Sequence, residues 1–129
     1  MKVNNEKTKF FYKNYNEICD CIMCKFYIEK ISDIYPQLNE FLDKINVDIK
    51  KPLEVGYPYL DSMENLIYPF SQYIVIGQCD DFSLDISDLC IRKADAYPDL
   101  KIDDDYFVLD VFDLVIDRKF LTKQILTSI

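Results

Sequence analysis

The sequence predicts an α+β domain in which a helical hairpin packs on a mostly antiparallel sheet of four or five strands. Two observations carry that prediction. Apolar residues recur at three- and four-residue intervals through the first third of the chain, and β-branched or alternating runs dominate after residue 65. A third bounds the size: 129 residues, half of them hydrophobic and with ten Tyr and nine Phe, suit one domain, 1–129, with its own core. The polar first stretch, residues 1–10, is expected to fray.

Along the chain, Phe11, Tyr15, Ile18, Ile22, Met23 and Phe26 fall on one face of an amphipathic helix over about 11–31. Ser32 to Tyr35 should form a tight connection. Pro36 suits the first turn of a second helix, where its missing N–H costs nothing. Leu38, Phe41, Leu42 and Ile45 supply that helix's stripe, and Asn46 is a candidate left-handed C-cap. The segment 53–59 contains Pro58, which confines it to an edge or a loop. Residues 61–65 form a turn, and 66–68 and 72–78 are strands. The run 82–87 alternates as a half-buried strand, and the alternation slips by one residue at Asp88, the pattern of a β-bulge. Residues 106–116, apolar on both faces apart from Asp110 and Asp113, belong in the middle of the sheet, and 118–126 closes the chain as a short helix.

Charge divides the chain. Residues 1–52 carry nine Lys against eight Asp or Glu, net +1, whereas 53–129 carry six Lys or Arg against fifteen Asp or Glu, net −9. A field of that sign repels phosphate, so no nucleic acid is expected, and it attracts a basic protein partner. Asp80, Asp81, Asp103, Asp104 and Asp105, with Tyr97 as an aromatic anchor, are the candidate partner-binding residues. Neither acidic run has the spacing or the glycine of a calcium loop, so each reads as a solvated turn before a strand. Tyr57, Tyr59 and Tyr68 stand with Tyr97 beside prolines in expected loops.

Absences constrain the chemistry. There is no histidine, which removes Ser-His and Cys-His catalysis, and two glycines cannot build a phosphate-binding loop. The chain is therefore expected not to be an enzyme. No apolar run follows Met1 and none is long enough to span a bilayer, so a cytoplasmic location with no membrane contact and five free thiols is expected.

Thiolates bind zinc, and Cys19, Cys21 and Cys24 are the candidate ligands, with Cys79 or Cys90 available as a fourth and Cys79 preferred. In a regular helix Cys21 and Cys24 share a face while Cys19 points away, so one metal could take all three only if the backbone unwinds there. The alternatives are small core residues with no cofactor, and redox chemistry between Cys21 and Cys24.

Five blocks, Cys19-Asp20-Cys21-x2-Cys24, Tyr35-Pro36-x-Leu38, Val47-Asp48-Ile49-x-Lys51-Pro52, Gln72-Tyr73-Ile74-Val75-x-Gly77-x-Cys79 and Tyr106-Phe107-Val108-Leu109-x-Val111-Phe112, span about residues 18–116. Through them the chain resembles a group of small, uncharacterised bacterial proteins. That resemblance implies one globular unit and supplies no activity. It also implies a proline after the second cysteine; Ile22 in its place would let a helix run through the cysteines. In size, acidity and lack of active-site residues the chain resembles the immunity proteins of bacterial toxin systems, which implies a non-enzymatic inhibitor that binds a cognate, often basic, toxin through an acidic face.

Overall fold

The computed structural model describes residues 1–129 and is an α+β fold of four helices and a curled antiparallel sheet. The strands are β1 (Lys2–Val3), β2 (Glu54–Val55), β3 (Tyr59–Leu60), β4 (Leu66–Gln78), β5 (Ser83–Ile86), β6 (Leu89–Lys93) and β7 (Tyr106–Ile116). The helices are α1 (Asn5–Asn14), α2 (Ile22–Ile34), α3 (Pro36–Lys44) and α4 (Lys123–Ser128), the last preceded by a 3-10 turn at Arg118–Phe120. The sheet runs β1-β4-β7-β6-β5, and β2 and β3 also pair with β4. No helix is long and apolar enough to cross a membrane.

The expected helical hairpin is α2 and α3, joined at Tyr35 alone. Pro36 opens α3 and disfavours helical backbone at Tyr35 before it. The end of α3 is a Schellman motif: Asn46 takes φ 62°, its N–H donates to Asp43 O at 3.0 Å, and Val47 N–H donates to Leu42 O at 2.9 Å. Val47 and Leu42 are both buried in the same core.

Two corrections fall on the first third of the chain. Residues 1–10, expected to fray, pair as β1 and begin α1, with Asn4 capping Lys7 N–H at 3.1 Å. The single helix expected over 11–31 is two, separated by non-helical backbone through residues 15–21. Asn14, Asn16, Cys19, Asp20 and Cys21 all have weak helix propensity, and Cys21 serves better as the cap that starts α2. The three- and four-residue spacing thus joined apolar residues that serve different surfaces. Tyr12 is in the main core, Tyr15 packs against the opposite face of the sheet, Phe11 touches both, and α2 contributes Met23, Phe26, Tyr27 and Ile31 to the main core.

In the sheet, 66–68 and 72–78 are one strand, running through Pro69. Its register against β7 holds without a slip from Leu66↔Ile116 to Ile76↔Tyr106. Opposite Pro69, which has no N–H to donate, Asp113 takes φ 59°. At this point both strands exchange faces. Tyr73, Val75, Phe107, Leu109 and Val111 are odd-numbered core residues, whereas beyond the Pro69–Asp113 pair the same core is met by Leu66, Tyr68, Leu114 and Ile116. The opposite face of β4 and β7 has its own small core of Ile74, Ile76, Ala94 and Val108, covered by Phe11, Tyr15, Leu100 and Ile102 among others. The slip at Asp88 is a tight hairpin and not a bulge: Ile86 pairs directly with Leu89, leaving a two-residue turn in which Ser87 takes φ 54°. Tyr68 lies in β4, as the strand expected over 66–68 requires, and is fully buried, so it does not belong with the loop tyrosines beside prolines.

Three two-residue strands line the free edge of β4 in turn: β3 at Leu66 and Ile67, β2 at Ser71 and Gln72, β1 at Gly77 and Gln78. The last contact requires glycine. Gly77 has φ 148°, and a Cβ there would lie 2.1 Å from the carbonyl oxygen of Lys2. Gly77→Ala should therefore expel β1 and destabilise the fold by about 1–3 kcal/mol. Hydrogen exchange checks this at the Asn4 amide, bonded to Ile76 O at 2.8 Å, which should lose its protection. Unchanged exchange there would refute the clash.

Candidate functional site

The five aspartates and Tyr97 singled out from the sequence come from three separated segments, and the fold gathers them at the end of the sheet where β4 finishes and β7 begins. Gly77 N–H donates to Asp105 O at 2.8 Å and Gln78 Nε2 donates to Asp105 Oδ2 at 2.9 Å, tying the Asp103-Asp104-Asp105 run to the end of β4. Asp80 and Asp81 follow within three residues of Gln78, and Lys93 Nζ donates to Asp80 O at 3.2 Å. Tyr97 packs edge-on against Tyr106, the first residue of β7, with ring centroids 6.0 Å apart. All six are exposed. Of the five carboxylates, only that of Asp104 is paired with a lysine, Lys7 Nζ at 2.7 Å.

Two clefts flank this end. One, of about 670 Å³, lies between Asp104 and Asp105 and the start of the chain at Lys2 to Lys7. The other, of about 440 Å³, holds Asp80, Asp81, Asp95 and Asp110 with Arg92 and Lys93. The sequence reading missed Arg92, Asp95 and Asp110 here, although strand alternation was a usable signal: Arg92 and Asp110 are direct cross-strand partners. Burial pushes the Asp110 carboxyl above its ordinary value. The hydrogen bond from Gln72 Nε2 at 2.8 Å and the charge of Arg92 oppose that shift, and Asp95 adds to it. A raised acid favours the folded state while protonated, and that contribution is lost as pH rises from the ordinary carboxylate range through the folded pKa. Asp110→Asn keeps an oxygen for Gln72 and removes the charge. It should raise the urea midpoint at pH 7, with the gain shrinking to nothing below the ordinary carboxylate range; a gain independent of pH would contradict this assignment.

The cysteines separate into two groups. Cys19, Cys21 and Cys24 bring their Sγ atoms within 4.8 Å of one another. The unwinding that a shared site required is the break at residues 15–21, and Ile22, expected to carry a helix through the cysteines, is instead the first residue of α2. Cys21 is the N-cap, its Sγ accepting the Cys24 N–H at 3.4 Å, so the cap and the third helical residue turn their thiols toward each other. Cys19 and Cys21 are exposed and Cys24 is buried. Desolvation would raise the Cys21 thiol, but the N–H of Cys24, the thiols of Cys19 and Cys24 and the N–H of Met23 together hold it below its ordinary value. Burial, reinforced by the two neighbouring sulfurs, pushes Cys24 up. Cys79, expected as a fourth ligand, is not part of this group. It lies just past the far end of β4, half-buried against the main core, while the thiols sit beside Tyr68, whose hydroxyl donates to Met23 O at 2.7 Å.

The three thiols open into a cleft of about 320 Å³ bounded by residues 52–58 and Tyr68, with Glu17 and Glu54 among its lining residues. Neither glutamate was singled out from the sequence, because nothing local links residue 54 to residues 17–24.

No protein-family model, no curated protein and no solved structure matches the chain.

Proposed function

We propose that the chain is a non-enzymatic binding protein of the immunity type, which neutralises a basic protein partner, such as a toxin domain, by covering it with the acidic end of the sheet. The observation that carries this reading is the gathering of Asp80, Asp81, Asp103, Asp104, Asp105 and Tyr97 at one end of the sheet, exposed and with a single lysine contact among the carboxylates. Exposed charges of one predominant sign on a folded surface steer an oppositely charged partner and set the orientation of docking. Tyr97, 40% exposed and braced by Tyr106, offers a rigid amphipathic ring at low entropic cost, the kind of anchor on which binding energy concentrates. The absence of histidine and of a glycine-rich loop fits a protein that acts by occupying a partner's surface.

The test is native mass spectrometry of the chain captured with its bound proteins from its own host. A stoichiometric complex with a basic chain, dissociating as salt rises, is the expected result. Replacing the five aspartates by asparagine should weaken that complex about tenfold or more at low salt, chiefly through slower association. Equal affinity for the parent and the substituted protein at low salt would sink the proposal.

A further inference from the structure

We propose that Cys19, Cys21 and Cys24 form a three-thiolate site for a zinc ion whose fourth position opens into the cleft beside Tyr68. Zinc held by thiolates at about 2.3 Å in a tetrahedron sets the sulfurs roughly 3.8 Å apart. The three Sγ atoms already lie within 4.8 Å of one another, so closing on the ion takes about 1 Å or less per pair.

The local backbone supports the same geometry. The cap and the third helical residue of α2 face each other across its first turn, and the non-helical stretch before the cap carries Cys19 back toward them. The start of a helix favours anionic sulfur, because its unpaired N–H groups point at the ligand. The Cys24 N–H is already directed at Cys21 Sγ, and Tyr68 fixes the intervening carbonyl of Met23, the sort of outer support that orients metal ligands.

The cleft explains the coordination number. No fourth His, Cys, Asp or Glu joins the cluster, so the protein supplies three ligands and the remaining position faces the cleft, where water completes the tetrahedron. Glu17 and Glu54 line the same cleft, so its walls carry no cation that would compete with the ion. On binding, the thiols release their protons to solvent and the ion joins the 15–21 segment to α2. A disulfide between any two of the three would instead leave the third thiol unpaired. The inference is independent of the proposed partner, since its readouts need only the purified chain.

The experiment uses the full chain, reduced and stripped of metal by chelator. Added zinc should bind one per chain by native mass spectrometry and raise the unfolding temperature, and cobalt(II) should give sulfur-to-metal charge-transfer absorption with tetrahedral ligand-field bands. Cys19→Ser and Cys21→Ser, both at exposed positions, should each weaken zinc at least tenfold with the far-ultraviolet circular dichroism unchanged. Cys79→Ser and Cys90→Ser should leave affinity as it was. Three results overturn the proposal: no zinc retained, zinc affinity indifferent to Cys19→Ser and Cys21→Ser, or mild oxidation forming a Cys21–Cys24 disulfide as fast with zinc present as without.

Discussion

Buried tyrosine hydroxyls decide where everything else rests on the sheet. Tyr12 from α1 donates to Ile74 O, and Tyr68 from β4 donates to Met23 O at the start of α2. Tyr27, in the middle of α2, donates to Ser71 Oγ at 2.9 Å and lies 2.8 Å from the Tyr73 hydroxyl, which in turn donates to Ile49 O at 2.7 Å. Burial pushes the Tyr27 phenol up to about 12, so it stays protonated and able to donate. An apolar core would accept small rotations of a helix at little cost. A buried hydroxyl without its partner costs about 1–3 kcal/mol, so each of these bonds specifies one position. No buried side-chain polar atom is left without a partner. The thiol cluster inherits this precision, because Tyr68 grips the carbonyl of the residue immediately before Cys24.

The second constraint is the shared face exchange in β4 and β7. With an unbroken register, one strand cannot change its inward-facing set alone without putting polar and apolar residues on the wrong sides of every later pair. Pro69 and Asp113 lie opposite each other at the switch, one lacking a donor and the other at φ 59°, so the two departures from regular strand geometry fall in one place. Beyond it Leu66, Tyr68, Leu114 and Ile116 meet the main core; before it Ile74, Ile76 and Val108 are free to build a second core on the far face. The 95–105 segment crosses that far face to contribute Leu100 and Ile102, which is why Tyr97 and the three consecutive aspartates arrive beside the end of β4.

What was legible in the sequence were features set by local chemistry. Pro36 and Asn46 bracket α3 because a fixed φ and a tolerated left-handed one each have a single place in a helix. The residues of β7 announced a central strand because apolar side chains on both faces have nowhere else to go. The misreadings came where the deciding partner is remote. Helical spacing continued through residues 15–21 because Tyr15 and Ile18 serve other surfaces than the α2 core, and spacing alone does not say which surface an apolar residue meets. The hairpin at Ser87 and Asp88 mimicked a bulge, since a two-residue turn also interrupts the alternation. Cys79 was grouped with the other thiols by residue type, yet the strand that carries it holds it at the opposite end from Tyr68. The acidic residues were legible as charge, and their convergence was not, because it depends on the ladder between β4 and β7.

That ladder also separates the two candidate sites. The thiols lie beside Tyr68 and the carboxylates beyond Gln78, and at roughly 3.3 Å per residue the intervening strand spans on the order of 30 Å before curling. Exposed charges at physiological salt are screened over about 8 Å, so the acidic end adds little to the field at the thiols, which share their cleft with Glu17 and Glu54. Any energetic link would have to run through β4 itself, which is clamped by β7 along one edge, by three short strands along the other and by tyrosine hydroxyls from above. Coupling would require a second arrangement of that strand for a ligand to select. The proposed metal site at one end and the proposed partner surface at the other are therefore set apart by the length of the sheet.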